Sequence, residues 1–116
     1  MKYDVTRIDA KPGQKITVTL KDVGTAPKFS MGHNFTLLNR GTDVNKFIEA
    51  GAEHPNTAYI APTMKGNVIA STKLLGPGES DTISFRAPTL PGEYDFVCTF
   101  PGHAAVGMKG KLVVAL

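Results

Sequence analysis

"GEYDFVCTFPGHAAVGMKGKLVVAL", residues 92–116, decides how the chain is read. It opens in alternation, with Tyr94, Phe96 and Cys98 on one face and Asp95, Val97 and Thr99 on the other. It closes with Leu112, Val114 and Leu116 in step. A period of two marks strands with one face in a core. Between the two strands lies "CTFPGHAAVGM", residues 98–108, with the only cysteine of the chain, then His103, then Met108. Pro101-Gly102 and Gly107 are turn residues that bend this loop twice. The two strands therefore deliver a thiol, an imidazole and a thioether to one end of whatever they build.

The same period runs upstream. In "KITVTLK", residues 15–21, Ile16, Val18 and Leu20 alternate with polar neighbours, as do Ile83 and Phe85 in "SDTISFR", residues 80–86. Pro12-Gly13, Gly76-Pro77-Gly78 and Pro91-Gly92 punctuate the runs. Strands are expected near 4–9, 15–21, 32–38, 67–71, 80–86, 93–99 and 110–116. One stretch reads as helix: "TDVNKFIEAGAEH", residues 42–54, has Thr42 or Asp43 as N-cap, Val44, Phe47 and Ile48 at helical spacing, and Gly51 to end it. About seven short strands and one short helix predict an all-β Greek-key β-sandwich or barrel. With 116 residues the chain is expected to form a single domain, 1–116. That length buries a core large enough to hold without staples.

Composition excludes several functions. There are 13 Lys and Arg against 10 Asp and Glu, a net charge of +3. Lys2, Lys11, Lys21, Lys73 and Lys109 are scattered, and no aromatic–arginine interleaving supports nucleic-acid binding. No apolar run is long enough to span a membrane. One cysteine rules out an intramolecular disulfide but leaves the compartment open. "MKYDVTRIDA" begins directly with strand-like alternation, so no signal peptide is expected at its start.

Singly, each candidate site residue has an ordinary reading. Cys98 is a small buried hydrophobe, His103 a solvated turn residue and Met108 core filler. His33, in "SMGHNFTLL", residues 30–38, is a hydrogen-bonded core histidine. Together they form another pattern: one thiolate, two imidazoles and a thioether are the ligand set of blue copper centres. Zinc accepts the same nitrogen and sulfur donors and is an alternative occupant. His54, in "GAEHPN", has no companion ligand, and no spacing ties Met64 to the others.

"MGHNFTLL", residues 31–38, followed by "CTFPGHAAVGMKGKLVV" resembles the small blue copper proteins, the cupredoxins, and among them azurins and auracyanins. "STKLLGPGES", residues 71–80, resembles the azurin segment before the penultimate strands. The likeness runs over roughly residues 15–116. It implies one type 1 copper ion with His33, Cys98 and His103 as equatorial ligands, Met108 as axial ligand and the Gly32 carbonyl as a weak contact opposite. It further implies that Asn34 pins the ligand loops beside the thiolate and that the Phe100 backbone N–H donates to the cysteine sulfur. Met31, Phe100, Pro101, Gly102 and Ala105 would form an apolar docking patch around the edge of His103. Four residues, Ala104 to Gly107, separate His103 from Met108, a spacing like that of auracyanins and rusticyanin rather than azurins. The azurin disulfide has no counterpart, Phe35 stands where a tryptophan is usual, and the first strand is expected to be shortened or missing.

The leading functional expectation is a soluble, monomeric one-electron carrier cycling copper between Cu(I) and Cu(II). It would exchange electrons with redox partner proteins and reside in the periplasm or another extracytoplasmic space. The alternative is a copper-binding or copper-delivery protein without a redox role. A Cys98–His103 nucleophile pair has no orienting residue in motif context, and three histidines are too few for a second copper site. The chain is accordingly not expected to be an enzyme.

Overall fold

The computed structural model describes residues 2–116, except for the side chains of Phe29 and Ser30. Seven strands make two sheets: β1 (Arg7–Ala10), β2 (Lys15–Lys21), β3 (Thr36–Leu38), β4 (Val68–Ser71), β5 (Ser80–Arg86), β6 (Gly92–Val97) and β7 (Lys109–Val114). The larger sheet runs β1-β7-β6-β3-β4, and β2 pairs with β5 in the smaller. Among the described residues, only the β1–β7 pairing is parallel. The first strand is thus short, at four residues, but present. The architecture is the expected cupredoxin-like β-sandwich.

The alternating residues build the core between the sheets. Leu37, Phe96, Leu112 and Val114 from the larger sheet join Ile16 from the smaller, with Tyr3 and Phe35 packed among them. The two strand-pair threonines Thr17 and Thr19 face outward and bond to Ser84 and Thr82 across the ladder.

A second cluster lies on the outer face of the larger sheet. Helix α2 (Val44–Gly51) is capped by Asp43, whose carboxylate accepts from the Lys46 N–H at 3.1 Å. Its apolar stripe seats Phe47 against Leu38, Val97 and Ala104. Gly51 ends the helix for a packing reason, since a Cβ there would lie 1.9 Å from the Tyr59 carbonyl oxygen. A single helical turn, α1 (Lys28–Met31), and two short 3-10 segments, Pro55–Thr57 and Pro62–Asn67, add to this helix.

Two expectations are corrected. Val97 and Thr99, placed on an outward face by alternation, are buried because α2 and the turn after it cover that side. The strand expected over 32–38 pairs continuously only from Thr36. Before that, the Phe35 N–H goes to the Thr72 hydroxyl and the Asn34 carbonyl accepts from the Tyr3 hydroxyl. These side-chain bonds interrupt the ladder between the isolated His33–Leu75 bridge and Thr36. Strand β6 likewise stops at Val97, leaving Cys98 and Thr99 in the loop.

Phe47→Ala should lower the unfolding free energy by about 3–5 kcal/mol, because it leaves a cavity between α2 and the sheet that rigid strands cannot close. Urea unfolding of the metal-free protein measures this.

Candidate metal centre

The ligand loop hangs from the end of a ladder. Val97 pairs with Lys109, and the next rung is the Cys98 N–H donating to the Met108 carbonyl at 3.1 Å. Cys98 and Met108 thus stand side by side at the neck of the loop. Inside it the His103 N–H donates to the Phe100 carbonyl (3.1 Å) and the Met108 N–H to the His103 carbonyl (2.9 Å). Gly102 and Gly107 make the bends at φ 87° and 109°, a region that favours glycine.

His33 comes from the opposite side of the sequence. Its N–H donates to the Leu75 carbonyl (3.1 Å), and the Leu75 N–H donates back (2.7 Å). A Cβ at Gly32 would lie 2.8 Å from the Lys28 carbonyl oxygen, so the chain leaves α1 for His33 through a gap only glycine fits. Asn34 then ties the two regions together. Its Nδ2 donates to the Thr99 hydroxyl at 2.8 Å, and its Oδ1 accepts from the Thr99 N–H at 2.9 Å.

These constraints bring one ligand atom each from His33, Cys98 and His103 within 4.8 Å of one another. The Cys98 sulfur lies 3.4 Å from His103 Nδ1 and 3.8 Å from the Gly32 carbonyl oxygen. The two imidazole rings are 4.9 Å apart between centroids. Cys98 and His103 are buried and His33 half-buried. Met108 is buried, and with His33 it lines a cavity of about 570 Å³.

Electrostatics prepare this cluster for a cation. Burial pushes the His33 imidazole down, against a smaller opposing pull from the Asp22 carboxylate. Burial, helped by the neighbouring His33 charge, brings His103 down to about 4. Both rings are therefore neutral at ordinary pH, with lone pairs to give. Burial pushes the Cys98 thiol up, while the backbone N–H groups of Asn34 and Phe100 favour its charged form. His33 Nδ1 is buried without a hydrogen-bond partner, a cost that an unligated ring would ordinarily avoid. Two neutral imidazoles and a thiol that ionises readily only beside positive charge fit one soft or borderline metal ion. They fit copper, and His33, Cys98 and His103 are positioned to hold it as in type 1 sites.

Other expected residues fall as follows. Phe100 lies over His103, with ring centroids 4.6 Å apart at 27°. Pro101, Gly102 and Ala105 are exposed on the loop, and Met31 is half-buried at the end of α1. Val106, which the sequence did not single out, is 67% exposed on the same loop. His54 is not among the clustered donors, and Met64 packs against the α2 cluster. Sequence reasoning also missed Thr99, because alternation assigned it to solvent. It missed Tyr3, whose hydroxyl bonds to the Asn34 carbonyl, because nothing in "MKYDVT" marks a tyrosine as part of a distant site.

Among the described residues, no helix is long and apolar enough to cross a membrane. The family profile described as copper binding proteins, plastocyanin/azurin family, matches residues 1–115. The chain is 40% identical over 106 residues to outer membrane protein H.8 of Neisseria meningitidis serogroup B, covering 90% of this chain but 56% of that protein. It is 41% identical over 118 residues to azurin of Pseudomonas aeruginosa, covering 98% of this chain and 78% of the azurin. The crystal structure of dithionite-reduced auracyanin from Roseiflexus castenholzii superposes with a TM-score of 0.85 at 40% identity, over 99% of this chain and 88% of that one. Backbone superposition, donor cluster and sequence agree, and the chain belongs to the plastocyanin/azurin family as a blue copper protein of the cupredoxin type.

Proposed function

We propose that the protein is a one-electron carrier and not itself an enzyme. One observation carries this: donors from two segments far apart in sequence, His33 on one and Cys98 with His103 on the other, converge within 4.8 Å. Copper, when bound, supplies a single electron exchanged between Cu(I) and Cu(II). His33, Cys98 and His103 would hold it, with the Met108 thioether and the Gly32 carbonyl as weaker donors. Asn34 keeps the His33 segment and the thiolate segment at a fixed separation, so the donors shift little between the two oxidation states. The Asn34 and Phe100 N–H groups stabilise the thiolate charge, which tunes the potential.

The rim supports transfer to another protein. Met31, Phe100, Pro101, Gly102 and Ala105 form, in this reading, the apolar face through which a redox partner approaches His103. A net charge of +3 favours an acidic partner through long-range steering. A relative named as an outer membrane protein supports work outside the cytoplasm. The chain spans about half the length of that relative, so the activity of any longer protein containing this unit is part of the proposal.

A second reading, copper delivery without a redox role, is favoured by the cavity beside half-buried His33 and Met108, a route by which a chelating partner reaches the ion. Rapid electron self-exchange with slow copper loss to a chelator supports the carrier; the reverse supports delivery.

Adding Cu(II) to the metal-free protein should produce an intense visible sulfur-to-copper charge-transfer band with narrow copper hyperfine splitting. Cys98→Ser should abolish the band; a colourless copper complex of the parent protein would sink the carrier reading. Met108→Gln should keep the band and lower the reduction potential, because an amide oxygen favours the oxidised ion over the reduced one. An unchanged potential removes Met108 from the ligand set. Asn34→Leu should cost about 2–4 kcal/mol in urea unfolding, since it deletes two hydrogen bonds and orphans the buried Thr99 N–H.

A further inference from the structure

Among the described residues, only two other than glycine have positive φ, and they are adjacent: Ala58 at 55° and Tyr59 at 59°. This left-handed region crowds the Cβ of an L residue against the following carbonyl. Such a turn persists only where its surroundings over-determine it, and strained turns of this kind gather where function needs fixed geometry.

The surroundings here lie on two sides. On one, the Tyr59 carbonyl presses onto the end of α2, in the space left by the missing Cβ of Gly51. Within the turn the Tyr59 N–H donates to the His54 carbonyl (3.0 Å), and the Thr57 hydroxyl donates to the Ile60 carbonyl (2.7 Å). On the other side the turn meets the ligand loop twice. The Thr99 hydroxyl donates to the Ala58 carbonyl at 2.6 Å. The Tyr59 ring stands edge-on to Phe100, with centroids 5.0 Å apart at 63°.

Thr99 and Phe100 are the two residues that follow the thiolate. The Ala58 carbonyl and the Tyr59 ring, which meet them from this side, both come from the left-handed pair. Phe100 in turn stacks on His103, and its backbone N–H favours the charged form of the Cys98 thiol. A turn needed only to leave α2 would have no reason to aim a carbonyl and a ring at this segment.

We propose that the Ala58–Tyr59 turn is a positioning clamp for residues 99 and 100, holding the Phe100 N–H on the Cys98 sulfur and the Phe100 ring on His103, and thereby raising the reduction potential of the site. This rests on the copper reading above. The sign follows from charge. An N–H on the sulfur withdraws electron density, weakens donation to the oxidised ion and favours the reduced one. Loosening the clamp therefore lowers the potential.

The test compares Tyr59→Leu with Tyr59→Phe in the copper-loaded protein by redox titration, visible absorption and electron paramagnetic resonance. Tyr59→Leu should lower the potential and shift the thiolate band; Tyr59→Phe, which keeps the ring, should match the parent. In the metal-free protein, the Cys98 thiol of Tyr59→Leu should react several-fold faster with an aromatic disulfide reagent. Tyr59→Met, also without a ring, repeats the comparison and replaces it if Tyr59→Leu does not fold. Parent-like potential and thiol reactivity in the Leu and Met variants, with only the unfolding midpoint changed, overturn the clamp. A parent that takes up copper without the visible band overturns the carrier reading instead, and the thiol-reactivity comparison still decides the clamp.

Discussion

The paired hydrogen bonds between Asn34 and Thr99 are the constraint on which the rest depends. They join residues 65 positions apart, and both partners are fully buried. A buried amide with both of its polar atoms engaged is stable; one with half its partners costs about 1–3 kcal/mol. The pairing is therefore close to all-or-none, and it fixes how far His33 stands from Cys98. Every other contact at this end of the sandwich refines a separation already set there. The Leu75 exchange orients the His33 backbone, and the internal bonds of the loop orient His103.

That fixed separation makes the electrostatics useful. In a flexible pocket, two imidazoles and a thiol would turn toward water or toward each other to relieve their burial. Here the backbone forbids it, and burial instead suppresses charge on all three groups. The frame is pre-organised for a positive charge that it does not itself provide. The β-sandwich supplies stiffness through Leu37, Phe96 and Leu112, and α2 supplies it from the outer face through Phe47.

Much of this was legible in the sequence, and the failures have physical causes. Alternation located β2, β5, β6 and β7, turn residues helped to delimit the other strands, and Asp43, Phe47 and Gly51 marked the helix. Alternation misread Val97 and Thr99 because an element elsewhere in the chain covers the second face, which no local pattern announces. The three clustered donors were legible because they need particular residue types. Thr99, Tyr3 and Ala58 were not, because they act through a hydroxyl or a carbonyl that any loop could carry. The start of β3 was overextended since Asn34 and Phe35 bond to side chains, and a strand-like string of letters cannot show that.

The neck of the ligand loop has one more consequence. The β6–β7 ladder closes at Val97 and Lys109, and the Cys98–Met108 rung seals it. Inside the ladder a one-residue slip would exchange core and solvent faces. Beyond the rung, residues can be added or removed with no effect on register. The four residues from Ala104 to Gly107 sit in that insulated span. The fold thus behaves as a socket and the loop as an interchangeable insert, whose length can change without disturbing the sandwich beneath.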